Sequence, residues 1–85
     1  SCYTPLHKAA SQGKIDIVEA LVNAGALINL DDGYGRTPLH LALGTSQPGG
    51  TAVAKLLVSA GALTDMKNPD GETALDMMRK RGMLD

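Results

Sequence analysis

Eighty-five residues with no Phe, no Trp and a single cysteine restrict this chain to one small domain with an aliphatic core. A formal net charge of −1 gives no electrostatic case for nucleic acid or an anionic membrane, and one cysteine cannot form an internal disulfide. No apolar run approaches the roughly 20 residues of a membrane span, and the N-terminus lacks a basic-then-apolar signal layout. The expectation is an intracellular, cytoplasmic or nuclear, all-α domain.

In chain order, Thr4 followed by Pro5 is a helix start, an N-cap with proline at the first helical position. Gly13 is expected to end that helix. A second helix follows, with Ile15, Val18, Leu21 and Val22 on one stripe. Gly25 then suits a left-handed closing residue. Residues 26–36 hold Asp31-Asp32-Gly33-Tyr34-Gly35, a turn sequence. Thr37-Pro38 opens a third helix, which Gly44 with Pro48-Gly49-Gly50 is expected to end. The fourth helix carries Val53, Leu56, Leu57 and Ala60 and closes at Gly61. A second turn-rich segment, residues 62–72, contains Asn68-Pro69-Asp70-Gly71. Thr73 opens a last, shorter helical piece that ends near Arg79-Lys80-Arg81.

These elements repeat. Thr-Pro-Leu-His stands at positions 4–7 and again, 33 residues on, at 37–40; an eroded Thr73-Ala74-Leu75-Asp76 follows after 36 more. The run Val18–Ala26 matches Ala54–Ala62, and Gly13 matches Gly49. Self-similarity at a period of about 20–50 residues indicates a repeat architecture. The copies are 4–36, 37–72 and a partial or capping copy, 73–85. The three extra residues of the second copy lie within 44–50, as an insertion in a loop should. One such unit cannot bury its apolar face alone, whereas stacked neighbours can.

Asp32, Gly35, Thr37, Pro38, Leu39, His40 and Ala42, with Thr4, Pro5, Leu6, His7, Ala9, Ala10, Gly13, Leu21, Gly25, Ala26, Ile28 and Asn29, make the chain similar to the ankyrin repeat family. The resemblance covers essentially the whole chain. It implies an ankyrin-repeat solenoid of stacked helix-turn-helix units with hairpin-like finger loops set across the helix pairs. It also implies a protein-interaction module, a scaffold or adaptor without enzymatic activity, cofactor or metal. The alternative is a regulatory or substrate-presenting segment of a larger enzyme or channel chain. About two and a third repeats suggest an excerpt from a longer array, or self-association through open ends. Asp76 in place of the motif histidine, with Arg79-Lys80-Arg81, suggests a C-terminal capping copy. A further Thr-Pro-Leu-His unit beyond residue 85 in the parent protein overturns that last expectation.

Residues that could carry chemistry have plainer readings. His7 and His40 recur at the repeat period with no carboxylate or cysteine partner at recurrent spacing. The family resemblance gives them a backbone-bonding role between repeats. Cys2 has no second cysteine and reads as a surface thiol. Gly33-Tyr34-Gly35 and Gly49-Gly50 lack the spacing of a phosphate cradle. Arg79-Lys80-Arg81 lacks interleaved aromatics and reads as a solvated helix end.

If the chain binds a protein, the resemblance places the partner on the concave surface of finger tips and first helices. The positions left free by the framework are Tyr3, Asp31, Gly33, Tyr34, Arg36, Lys67, Pro69, Asp70 and Glu72 on the fingers. On the first helices they are Lys8, Ser11, Gln12, Leu41, Gly44, Met77, Lys80 and Arg81. The strongest expectation falls on Tyr34 and Arg36, because aromatic residues and arginine dominate binding hot spots. Asp31, Asp70, Glu72, Lys8, Ser11, Gln12, Lys80 and Arg81 complete the expected partner-binding set. An acidic excess counted over Asp31, Asp32, Asp70 and Glu72 suggests a basic partner segment.

Overall fold

The computed structural model describes residues 3–83; Cys2, read above as a surface thiol, lies outside them. Five helices follow one another: α1 (Pro5–Ser11), α2 (Ile15–Asn23), α3 (Pro38–Gly44), α4 (Gly50–Ser59) and α5 (Ala74–Lys80). Helices α1 and α2 form one antiparallel pair, α3 and α4 the next, and α5 continues the row of α1 and α3. The all-α solenoid expected from the sequence is therefore the observed architecture.

Each helix of the α1, α3, α5 row starts in the same way. Thr4, Thr37 and Thr73 have extended backbone, and each hydroxyl accepts a hydrogen bond from the N–H three residues on. That third residue returns the bond, since its side chain accepts from the threonine N–H. His7, His40 and Asp76 do this in turn. Two otherwise unpaired donors are satisfied at each helix start. Helices α2 and α4 lack such a side-chain cap and depend on packing for their position.

The core is aliphatic, as the composition requires. Leu6, Ala9, Ala10, Val18, Leu39, Ala42, Leu43, Val53, Ala54, Leu57, Ala62, Ala74 and Met78 are buried. Alanines at Ala10, Ala42, Ala54 and Ala74 let the helices approach closely. Equivalent positions differ by what covers them: Val53 is fully buried beside α2, whereas Ile17, its counterpart, is half-exposed.

The inserted segment departs from expectation. Gly50 does not end a helix; it is the first residue of α4 and is buried. Gly13 and Gly49, matched in sequence, do different work. Gly13 has φ +68°, a left-handed closing residue after α1, while Gly49 has an ordinary φ of −80°. Gly49 is glycine for another reason. A Cβ there would sit 2.0 Å from the Gly13 carbonyl oxygen, so the two backbones touch across the repeat boundary. The Thr45 hydroxyl donates to the Ser11 carbonyl at 2.7 Å and fastens the same loop to the first copy.

The fingers are tight turns. One isolated antiparallel bridge, Lys67 to Thr73, is the only β pairing among the described residues. The first finger is closed by Asp32 N–H donating to the Arg36 carbonyl at 2.9 Å, the second by Asn68 N–H donating to the Glu72 carbonyl at 2.8 Å.

Candidate functional site

The motif histidines are framework. His7 Nε2 lies 2.8 Å from the Leu30 carbonyl, and His40 Nε2 lies 2.8 Å from the Met66 carbonyl. A carbonyl only accepts, so in both rings Nε2 carries the proton and Nδ1 is the acceptor for the threonine N–H. Each imidazole thereby ties a helix start to the base of the following finger. No group of three or more metal-ligating side chains occurs among the described residues.

The first finger is organised by Asp32, whose side chain is fully buried. Its Oδ1 accepts from the N–H of Tyr34 at 2.8 Å and of Arg36 at 3.1 Å, and its Oδ2 accepts from Arg36 Nε at 2.8 Å. Burial pushes the carboxyl up, but these three donors and the guanidinium charge outweigh it and hold Asp32 below its ordinary 3.8. Its ionised form stabilises the finger above about pH 4, and that contribution is lost as pH falls through the lowered value. Asn68 is the counterpart in the second finger, accepting from Asp70 and Glu72 N–H. As a neutral amide it has no such pH dependence. Asp32→Asn is expected to match the wild type in urea midpoint at pH 3 more closely than at pH 7, where it costs about 1 kcal/mol. Equal deficits at both pH values would contradict the assignment.

The finger tip then presents Tyr34 at 72% exposure, with the Arg36 guanidinium 5.7 Å from its ring centroid. Asp32 holds Arg36 through Nε only. The two Nη groups make no hydrogen bond to the described residues. Tyr34 and Arg36 share a cleft with Asn68, Pro69 and Asp70 of the second finger. The cleft continues into a groove of about 290 Å³ lined by Ser11, Arg36, His40, Leu41, Gly44, Thr45, Asn68 and Met77. Residues from three copies thus meet along one trough.

The expected surface residues divide by what they touch. Asp31, Tyr34, Arg36, Asp70, Lys8 and Gln12 are exposed, and Ser11 lines the groove. Lys80 and Glu72 form an ion pair with each other. Arg81 does not belong with the exposed set. Its guanidinium donates to the Leu43 carbonyl at 2.7 Å, the Thr45 carbonyl at 3.0 Å and Thr51 Oγ1 at 3.3 Å. It satisfies carbonyls at the end of α3, where no intrahelical partner exists. The acidic excess also shrinks: Asp32 is buried against Arg36 and Glu72 is neutralised by Lys80, which leaves Asp31 and Asp70 against Lys67. Asn68 and Thr45 are not among the positions expected on the surface, yet both line the groove. Their signal was faint, because one looks like a turn residue and the other like part of an insertion.

Stacked two-helix units, joined by histidine-to-finger bonds and offering a trough across the copies, define a repeat protein of the interaction-module class. The family model described as ankyrin repeats in three copies matches residues 1–68. This chain belongs to the ankyrin repeat family. It is 38% identical over 73 residues to human protein phosphatase 1 regulatory subunit 27, covering 86% of this chain and 46% of that protein. It is 37% identical over 76 residues to the transient receptor potential cation channel subfamily A member 1 homolog of Caenorhabditis elegans, covering 88% of this chain and 6% of that one. A crystal structure of an ankyrin repeat domain from Acinetobacter baumannii superimposes with a TM-score of 0.82 at 33% identity, covering 94% of this chain and 42% of that chain. The chain spans less than half the length of each of these relatives. Ankyrin repeats are generally protein-interaction modules. No helix among the described residues is long and apolar enough to cross a membrane.

Proposed function

We propose that this segment binds a protein partner through the trough that runs from the finger tips to α1, α3 and α5, and does no chemistry of its own. The observation that carries the reading is the exposed Tyr34 beneath Arg36, both positioned by a fully buried Asp32 at the mouth of the groove. Fixing an aromatic and a guanidinium before binding lowers the ordering cost that a partner would otherwise meet. Lys8 and Gln12 extend the surface along α1, and Asp31 and Asp70 flank the tips. The relatives fit either setting: one is a regulatory subunit and another a channel of which such a segment is a small part. We also read α5 as the last first-helix of its array. Asp76 keeps the reciprocal cap but, as a carboxylate, has no proton to give a following finger's carbonyl in the way His7 and His40 do.

The test is affinity capture with the parent protein, followed by titration of the purified partner. A Tyr34→Ala/Arg36→Ala variant with a wild-type circular dichroism spectrum is expected to bind at least about thirtyfold more weakly. Unchanged affinity for a folded variant rejects the surface.

A further inference from the structure

Gly44, the last residue of α3, is exposed and sits beneath Met77; a Cβ built there would lie 3.7 Å from Met77 Cε. Leu41 stands one turn earlier on α3 and lines the same groove. Asn68 Nδ2, in the same groove, donates to the Met77 sulfur at 3.6 Å. The result is an apolar notch with a glycine floor and two flexible or branched apolar walls. The equivalent positions on α1, Lys8 and Ser11, are polar, so the notch occurs once in the first two copies.

Charge is distributed unevenly around the notch. Arg36 is the one charged side chain that lines the groove, and no carboxylate lines it. Asp32 occupies the buried Nε side of Arg36, so the outer Nη edge is left to receive an acceptor. A carboxylate meets such an edge through two parallel hydrogen bonds, a geometry a single-point cation cannot offer. Farther out, Asp70 lines the neighbouring cleft and Asp31 stands exposed on the same finger tip as Tyr34. A run of acidic residues would be repelled there, whereas a single carboxylate can meet the outer edge of Arg36 directly.

We infer that the trough recognises an extended peptide segment carrying one carboxylate next to one aliphatic side chain. The aliphatic group enters the notch between Leu41 and Met77 over Gly44, and the carboxylate caps the outer edge of Arg36. This rests on the surface proposed above and names the chemistry of its occupant. It replaces the basic segment suggested by counting charges along the sequence.

The inference is tested by panning a displayed random dodecapeptide library on the immobilised 85-residue chain and titrating a fluorescein-labelled consensus peptide. The enriched peptides are expected to share a Leu, Ile or Met within a few residues of a single Asp or Glu. Gly44→Leu occupies the notch: φ at this position lies outside the left-handed region, and the neighbour it meets is the flexible end of Met77. Its thermal midpoint is expected to hold or rise, since leucine is the better helix former. Its affinity is expected to fall at least about tenfold, the value of one buried aliphatic side chain. Changing the peptide's acid to its amide should weaken binding to the wild type and leave binding to Arg36→Gln unaltered. Peptides without the acid–aliphatic pair, no enrichment at all, or full affinity in a folded Gly44→Leu overturn the inference. If Gly44→Leu binds fully while Tyr34→Ala/Arg36→Ala loses binding, the notch is wrong and the finger surface stands. If neither variant loses binding, both readings fail.

Discussion

Replacing His40 with alanine is expected to destabilise the chain by about 2–4 kcal/mol, measured as a loss of unfolding free energy in urea. His40 is 3% exposed, and its ring serves two partners. Without it, the Thr37 N–H loses its acceptor and the Met66 carbonyl loses its donor. Each unsatisfied group costs roughly 1–3 kcal/mol when water cannot replace the partner. The Met66 bond also joins α3 to the second finger, so its loss should loosen residues 66–72 as well as the helix start. Total stability for a domain of this size is on the order of 5–10 kcal/mol, so the variant should melt well below the wild type. Asp76 provides the contrast. It keeps only the half of the arrangement that caps its own helix, and Asp76→Ala is expected to cost no more than about 1 kcal/mol. A His40→Ala variant within 0.5 kcal/mol of wild type would falsify the assignment of the imidazole as the inter-repeat tie.

Gly49→Ala is expected to cost about 3 kcal/mol or more, for an unrelated reason. The added methyl would stand 2.0 Å from the Gly13 oxygen and 2.9 Å from the Gly13 carbonyl carbon. Both are backbone atoms, so no side chain can rotate away. Gly13 is in turn held at φ +68° by the closure of α1. Gly50 adds to the constraint, since its own Cβ position lies 2.7 Å from the Ala42 carbonyl oxygen. The inserted loop would have to lift off the first copy, breaking the Thr45 to Ser11 bond. Overpacking of this kind typically costs 1–3 kcal/mol and more where the backbone must move. Gly25→Ala is the control. Nothing lies within 4 Å of its Cβ position, and only its φ of +89° opposes the change, so about 1 kcal/mol is expected. Equal effects for the two substitutions would show that the loop is not packed against the first copy.

Both substitutions bear on what could be read early. Thr4-Pro5 and Thr37-Pro38 announced their helices because a cap and a pre-set φ act within one turn. Gly25 and Gly61 marked helix ends for the same local reason, and both have left-handed φ. Tyr34 was legible as an exposed tip residue because a two-glycine turn offers nothing to bury it. Asp32 was not legible as a buried organiser. It adjoins Asp31 in sequence, and only the turn's closure sends one carboxylate inward and the other to solvent.

The sequence by itself determined the repeat period, the helix starts at Thr4-Pro5 and Thr37-Pro38, the helix ends at Gly25 and Gly61, and the aliphatic core. All of these follow from local propensities and from apolar spacing, which recur wherever the pattern recurs. Only the tertiary structure decided which charges remain free, that Arg81 closes the end of α3, that Gly49 is a contact, and that Leu41, Gly44, Met77 and Arg36 meet in one groove. Those residues come from different copies, as Arg81 and Leu43 do, 38 residues apart. Their pairing depends on how one copy is stacked against the next, a relation that no single repeat contains.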